Sequence, residues 1–401
     1  MSAISVVMGR NYTSRLGMIR ALGMAGHEVV VIKTDPFEKT VLKKDKIDSN
    51  SKYVKEYYCL REPDEKGLVN QILHIISNHP GECMLFPTDD YTASVIDSNL
   101  DQLTGLCACP HINHESGRVI KVMDKEYQKM MAQKAGLRVA DCWVAKYSIE
   151  THSFILPDGI IFPCFVKPQI SYKGSKQVMA KCSSMDELSL HLAKMASTYG
   201  DEACSDVLIE EFKTIEKEYD IPGLANNTEV ILPVFIKKGI IHRGVTGTGE
   251  LLNSDLFKDT LAKLKVFIGN LNFCGLVDIE LYESNGEIYF NELNMRFGAS
   301  GFALTGSGIN LPAALANIYL GETPAINMKE YHGESFASEK VCFQQYGSNN
   351  LSWKDFWKTI DEADFNFIRF KDDPKPFIFF KRNANIKRIK KIIAKLLIKR
   401  K

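Results

Sequence analysis

Four side chains between residues 278 and 294 have the types and the spacing to hold a metal ion. Asp278 and Glu280 stand two residues apart in a run, 274–282, that reads as a strand, so both point to one face. Glu292 and Asn294 stand two apart in and just after a second such run, 287–293. Asn285-Gly286 between the runs is a strong signal for a two-residue hairpin turn. Folded together, the runs bring two or three carboxylates and an amide to one spot. Uncompensated carboxylates at such range repel. A hard cation with oxygen ligands, such as Mg²⁺, removes the conflict and typically brings nucleotide phosphates with it. Arg296, two residues on, supplies a planar cation for a carboxylate or phosphate if the strand continues. A solvated acidic hairpin face fits the same spacing, and the hairpin alone leaves both readings open.

Two upstream segments carry weaker signals. The apolar run Phe162-Pro163-Cys164-Phe165-Val166 ends in Lys167-Pro168, so a strand terminus presents a lysine. The segment 169–175 follows, and its Ser171, Gly174 and Ser175 suit a loop whose backbone N–H groups cradle an anion. It is not a Walker A sequence, and an ordinary hairpin turn is the competing reading. The third segment is Val207-Leu208-Ile209-Glu210-Glu211-Phe212, followed by Glu218: a buried strand with acidic residues at its exit, for which solvated charge is the default.

These segments need elements to hold them. Residues 4–8 form an apolar run, Gly9-Arg10-Asn11 a turn, 14–25 a helical pattern stopped by Gly26, and 29–32 a second buried strand. This is a βαβ unit with a parallel sheet. A helix over 67–78 and a strand over 84–87 extend it into a Rossmann-like domain of residues 1–115. GxGxxG is absent, which argues against a dinucleotide. Asp89 and Asp90, at a strand's carboxyl end, suit either a substrate amine or the cap of the next helix. A helix over 116–135 stops at Gly136. Strands are expected over 160–167, 177–181, 207–212, 229–237, 240–244, 274–282 and 287–293, with helices over 185–199 and 256–270. The middle of the chain is therefore α+β and rich in hairpins.

Taken in order, the three segments resemble the ATP-grasp superfamily, over residues 124 to 321 and behind a matching Rossmann-like domain. The resemblance implies a fold that is α/β and α+β: a Rossmann-like pre-ATP-grasp domain, a two-lobed ATP-grasp domain over 116–325 with a lid lobe over 140–210, a C-terminal extension over 326–380 and a basic tail over 381–401. It implies roles residue by residue. Lys125 and Lys167 contact the nucleotide phosphates. The loop with Ser171, Gly174 and Ser175 closes over them. Glu210, Glu211 and Phe212 lie on the hinge strand at the adenine, and Glu218 is the ribose carboxylate. Glu280, Glu292 and Asn294 are the metal ligands, with Asp278 the alternative for the first. Arg296 stands beside the transferred phosphate and the acyl group, and residues 298–302 line the acyl pocket.

The cofactors implied are ATP and Mg²⁺, with Mn²⁺ as a substitute. The chemistry implied is amide formation through an acylphosphate, with Arg296 and Lys167 as the catalytic cations. The substrates are a small carboxylate and an amine, with an amino acid or a cell-envelope precursor as the candidate class. Many members pair, so a homodimer is an expectation. The competing activities are a carboxyphosphate-forming, biotin carboxylase-like enzyme and a non-catalytic Mg-ATP module. The first would need carrier or partner domains, and the second has no use for Arg296.

Composition excludes several other classes. Of 401 residues 45% are hydrophobic and 25% charged, as in ordinary globular chains. No apolar run reaches the roughly 18–20 residues that span a bilayer. The first residues lack a basic region before the apolar run, so they read as a strand and not as a signal peptide. The ten cysteines are scattered without a CxxC pair and read as reduced, mostly buried thiols of a cytoplasmic protein. Net charge is +1, yet residues 381–401 hold ten Lys or Arg and no acid, so the remainder is acidic and gives no hint of nucleic-acid binding. In the tail Ile386, Ile389, Ile392, Ile393, Leu396 and Leu397 have helical spacing. That pattern suits either peripheral contact with an anionic membrane or packing on the body.

Overall fold

A computed structural model of the chain describes residues 3–34, 47–60, 64–79, 81–173, 179–324 and 326–398, without the side chains of 201–203 and 395–398. The N-terminal unit is a parallel four-stranded sheet with the strand order Val54–Leu60, Glu28–Thr34, Ile4–Gly9, Cys83–Pro87. Three of these strands, Glu28–Thr34, Ile4–Gly9 and Cys83–Pro87, are largely apolar and buried on both faces, while the edge strand Val54–Leu60 is only partly covered. Asn11 caps the helix Tyr12–Met24, its side chain accepting from the Thr13 N–H at 3.2 Å. The chain order reverses between Ile4–Gly9 and Cys83–Pro87, and the carboxyl ends of those two strands meet closely. A Cβ on Gly9 would sit 2.2 Å from Thr88 Oγ1.

The single helix expected over 116–135 is two, Arg118–Val122 and Lys125–Lys134. Asp124 breaks it: its carboxylate accepts from the Tyr127 N–H at 3.0 Å and from Gln169 Nε2 at 2.7 Å. An aspartate with a non-helical backbone starts a helix better than it continues one. Next comes a five-stranded sheet ordered Ala180–Cys182, Cys164–Pro168, Val207–Glu211, Cys142–Ser148, Ser153–Ile155, covered by the helix Met185–Ala203. Val166, Leu188, Leu192, Val207 and Ile209 form its separate core.

The largest sheet has ten strands. Its centre is the strand Lys217–Ala225, paired over nine positions with Phe273–Ser284, which pairs in turn with Glu287–Asn294. Pro222 and Gly223 hid the first of these strands from the sequence. Pro222 is tolerated because the ladder on its other side touches only Tyr219 and Asp220, and then Leu224 and Ala225. The missing N–H falls in the gap. Asn285 and Gly286 take φ of 51° and 74°, the left-handed pair that the tight turn requires.

The segment 326–380 is not an appended extension. Its strands Ser335–Ala337 and Phe365–Asn366 continue the large sheet. Asp373 forms a buried ion pair at 3.0 Å with Arg20 of the first helix. Nor does the tail begin at 381: one helix runs Lys375–Ile398, with Phe380 and Ala384 in a core beneath it. No helix among the described residues is long and apolar enough to cross a membrane.

Candidate active site

The hairpin register sets the acidic residues directly opposite one another. Asp278 faces Asn294, and Glu280 faces Glu292. The neighbouring strand adds Asp220 opposite Glu280, so Asp220, Glu280 and Glu292 form a row across three strands. Like charges directly opposite destabilise a sheet unless cations intervene. One cation is Lys238, which is 3% exposed on its side chain and lies 2.8 Å from Asp220, 3.3 Å from Glu280 and 3.6 Å from Glu218. A bulge between Glu280 and Leu281 leaves Asn291 as an extra residue beside Glu292. Asn291 Oδ1 accepts from Lys167 Nζ at 3.2 Å.

Glu292 is the best-neutralised member of the row. Its Oε1 accepts from Ser171 Oγ at 2.8 Å and lies 3.2 Å from Lys125 Nζ, which also donates to Ser171. Burial pushes its carboxyl up, but Lys125, Lys167 and Ser171 outweigh that and hold it at about 2. Glu280 is raised above its ordinary value, by burial first and then by Asp220 and Glu292, against the pull of Lys238. Asp278 is pushed up to about 7 by burial and then by Asp220, against Arg296. Among the described residues no three His, Cys, Asp or Glu side chains converge into a closed metal cage. Two opposed carboxylates with a buried amide suit Mg²⁺, which uses one or two carboxylates and completes its shell with water and phosphate. The raised Glu280, with residual like-charge repulsion, fits a site that a divalent cation would relax.

A second network lies under the five-stranded sheet. Glu210 takes two lysines at once, Lys129 at 2.7 Å and Lys167 at 2.9 Å. All three are buried. Burial raises the Glu210 carboxyl, yet Lys167 and Lys129 hold it below its ordinary value. Lys129 is lowered, by burial above all. The Glu210 side chain thus turns onto lysines. The Glu211 and Phe212 N–H groups donate to the Asp141 and Pro163 carbonyls, each at 2.9 Å.

Both networks line one cleft of about 290 Å³ between the five-stranded sheet and the large sheet. Phe165, Met179, Phe212, Ile215 and Tyr282 make one end apolar, while Lys125, Lys167, Glu280 and Glu292 make the other charged. Glu218 lies on the same wall. A flat apolar group attached to a polyanion would match both ends. Gly174 and Ser175 lie outside the described residues.

Arg296 is off the strand, which ends at Asn294, but still reaches the acidic face. Its Nη1 is 2.7 Å from Asp278 and its Nε 3.3 Å from Asp90. The Phe297 N–H donates to the Pro87 carbonyl at 3.4 Å, tying this exit to the end of the N-terminal sheet. Gly298 permits the close approach, since a Cβ there would sit 2.2 Å from Asp278 Oδ2. The two aspartates that were ambiguous in the sequence divide. Asp89 is the cap, accepting from the Thr92 N–H at 2.8 Å, while Asp90 turns to Arg296. Phe302 does not line the site: it is buried in the core against Gly17.

Sequence reasoning missed Lys129, Lys238, Asp220 and Asn291. Lys129 follows Lys125 by one helical turn and was detectable by that spacing. Asp220 and Lys238 needed the unrecognised strand, and Asn291 needed the bulge.

No family model matches the chain. A D-alanine–D-alanine ligase of Campylobacter jejuni subsp. jejuni is 29% identical over 188 residues, 44% of this chain and 51% of the relative. The chain thus spans about half the length of the curated relatives it matches first. Among solved structures, an L-amino acid ligase from Bacillus licheniformis superposes with a TM-score of 0.62 at 14% identity, covering 84% of this chain and 79% of that one. N5-carboxyaminoimidazole synthetase from Staphylococcus aureus, complexed with ADP, gives a TM-score of 0.61 at 16% identity, covering 87% of this chain and 86% of the other.

Proposed function

We propose, from the ATP-grasp fold that this chain has in common with those ligases and that synthetase, that it is an ATP-dependent carboxylate–amine ligase working through an acylphosphate. The observation that carries the reading is a single cleft, apolar at one end, whose other end has Lys125 and Lys167 beside the opposed pair Glu280 and Glu292. Two of the similar proteins are by name amino-acid ligases, and one holds ADP.

In this reading Glu280, Glu292 and Asn294 hold Mg²⁺, with Asp278 kept back by its contact with Arg296. The bound metal supplies charge neutralisation at phosphate oxygens. Lys125 and Lys167 offset phosphate charge from the opposite wall, and Ser171 excludes water as part of the loop. Arg296 holds the reacting carboxylate and offsets charge as the phosphoryl group arrives. Phe165, Met179, Phe212 and Tyr282 pack on the base, and Glu218 accepts from the ribose. No side chain acts as a covalent nucleophile: the work is positioning and neutralisation. The substrates are a small acid and an amine, with an amino acid the leading class for one of them. We also read the enzyme as cytoplasmic, with peripheral contact to an anionic membrane through its C-terminal helix.

The test is ADP release against a panel of amino acids and small carboxylates, each with and without amines. Release that requires both an acid and an amine, with amide formed in step, supports the reading. Release driven by bicarbonate alone replaces it with carboxyphosphate chemistry. Tight Mg-ATP binding without turnover replaces it with a binding module.

A further inference from the structure

The helix Lys375–Ile398 is anchored in an unusual sense: the face on the body carries cations, and the face in solvent carries isoleucines. Phe380 and Ala384 are buried inward. Beyond them the inward positions are basic. Lys387 lies over the Phe343 ring at 5.7 Å, Arg388 over Trp353 at 4.7 Å and Lys391 over Tyr346 at 4.4 Å. Lys391 also donates to the Tyr346 carbonyl at 2.7 Å. These contacts fix the rotation of the helix about its axis. Ile378, Ile386, Ile389, Ile392 and Ile393 are left outside, at 63%, 44%, 56%, 45% and 50% exposure. At 3.6 residues per turn these five fall within an arc of about 120° opposite the packed face. Arg382 lies within that arc and Lys390 about 40° beyond its edge, both exposed.

A stripe of exposed isoleucine is costly in water and marks a surface that something covers. Charge selects the occupant. Residues 381–401 hold ten cations and no acid, while the chain as a whole is +1. A second copy docking helix to helix would bring Arg382 and Lys390 against the same cations, with no acid on either helix. An anionic bilayer surface matches both features: the isoleucines enter the acyl boundary, and the cations meet the headgroups.

We propose that this outward face is a docking surface for an anionic membrane, with the helix lying in the interface plane and held against the body by its inward cations. The proposal deepens the peripheral placement above and names the face, the residues and the lipid chemistry. Lys387, Arg388 and Lys391 then serve as anchors to the protein, and Arg382 and Lys390 as the lipid-facing cations.

The test is co-sedimentation of the full chain with vesicles of phosphatidylcholine alone and of phosphatidylcholine with 30% phosphatidylglycerol (about one anionic lipid in three). The wild type is compared with I386Q/I389Q/I393Q and with R382Q/K390Q. Both variants alter exposed positions, and glutamine keeps helix propensity. Expected is binding to anionic vesicles only, weakened at least tenfold in each variant, with the salt dependence reduced in the double variant. Circular dichroism and ADP release in solution, measured on the same variants, should match the wild type. Equal partitioning of the wild type and the isoleucine variant overturns the proposal, as does equal binding to neutral vesicles. A wild-type dimer that the isoleucine variant dissociates, without vesicle binding, assigns the face to a second copy instead. Because vesicle binding is read without substrate, its failure leaves the ligase reading standing, and absent turnover leaves the docking result standing.

Discussion

Lys129 tests whether the buried lysine network prepares the phosphate site or only fills it. Lys129→Met keeps most of the side-chain stem and removes the charge. In the native site Glu210 is shared, 2.7 Å from Lys129 and 2.9 Å from Lys167. The three groups sum to one positive charge, and Lys129 lets Glu210 be satisfied while Lys167 serves the cleft. Without Lys129 the sum is zero, and Glu210 has Lys167 as its one remaining cation. An incoming phosphate must then draw Lys167 from an otherwise uncompensated buried carboxylate. Removing one partner of a buried charged pair costs about 2–5 kcal/mol in binding. Here Glu210 retains one lysine, so the expected loss is at the lower end, about 1.5–3 kcal/mol, or roughly 10- to 150-fold in nucleotide Kd. Calorimetric titration of Mg-ATP and Mg-ADP measures this directly, and nucleotide-induced thermal stabilisation should fall in parallel. Lys129→Arg, which restores the charge, should recover most of the affinity. Wild-type affinity for both nucleotides in Lys129→Met would show that Lys167 is not held by this network, and the reasoning would be wrong.

Four further outcomes are expected. Glu292→Gln should abolish turnover while leaving the unfolding transition near wild type, because the glutamine still accepts from Ser171; wild-type rates would remove Glu292 from the metal site. Chelation of divalent cations should weaken ATP binding by about 100-fold or more, roughly 2.7 kcal/mol, read by the same titration in excess EDTA; undiminished affinity would refute the metal assignment. Arg20→Met should cost about 3–5 kcal/mol in denaturant unfolding, since it leaves the buried Asp373 without its cation, with only Ser51 Oγ and the Lys52 N–H as donors, and strands the carbonyls of Phe367 and Ile368, which accept at 2.9 Å each; a loss under about 1 kcal/mol would mean the C-terminal segment is not clamped there. Burial and then His114 push His111 down to about 4, and the unfolded chain protonates near 6.5. Stability from this group is therefore full above about pH 6.5 and falls toward pH 4, by at most about 3 kcal/mol; His111→Phe should flatten the decline, and an unchanged pH profile in that variant would count against it.

The parts of the site legible in the sequence were those made by local geometry. Asn285-Gly286 can hardly serve as anything but a left-handed turn, and strand alternation then fixes which acids share a face. That Asp278 and Glu280 share one face, and Glu292 and Asn294 another that folds against it, follows from those two facts; which of them are metal ligands came only from the family resemblance. What was hidden depended on contacts between distant segments. Glu210 read as a hinge acid because nothing local says that helix 125–134 brings a lysine to it from 81 residues away. The strand Lys217–Ala225 was masked by Pro222, which is tolerated only because its neighbours leave a gap there. The C-terminal strands Ser335–Ala337 and Phe365–Asn366 are too short to show a period. The last helix showed its amphipathic pattern but not its rotation. The usual expectation buries the apolar face, and it fails where Phe343, Tyr346 and Trp353 from other elements offer rings to cations instead.

The charges around the cleft give the hairpin acids a role under the proposed function. Four neighbouring groups of ion pairs set five cations, Lys125, Lys129, Lys167, Lys238 and Arg296, against seven carboxylates, Asp90, Glu210, Glu218, Asp220, Asp278, Glu280 and Glu292. Together these groups carry an excess of negative charge, and Asp278 and Glu280 are raised by burial first and by neighbouring carboxylates second. A polyanion alone would be repelled from them. In the proposed reading a polyanion arriving with divalent cations would not be, because Glu280 and Glu292 would meet the metal while Lys125 and Lys167 meet the phosphates. Segregating the charges this way would let the proposed site select the metal complex over free nucleotide. It also leaves Arg296, held between Asp90 and Asp278, as the cation at the junction with the N-terminal sheet. There a substrate carboxylate must displace an aspartate to bind. In the proposed reading that exchange is favourable only if the arriving carboxylate brings compensation, such as an ammonium for the displaced Asp90, which is the argument for proposing an amino acid as substrate.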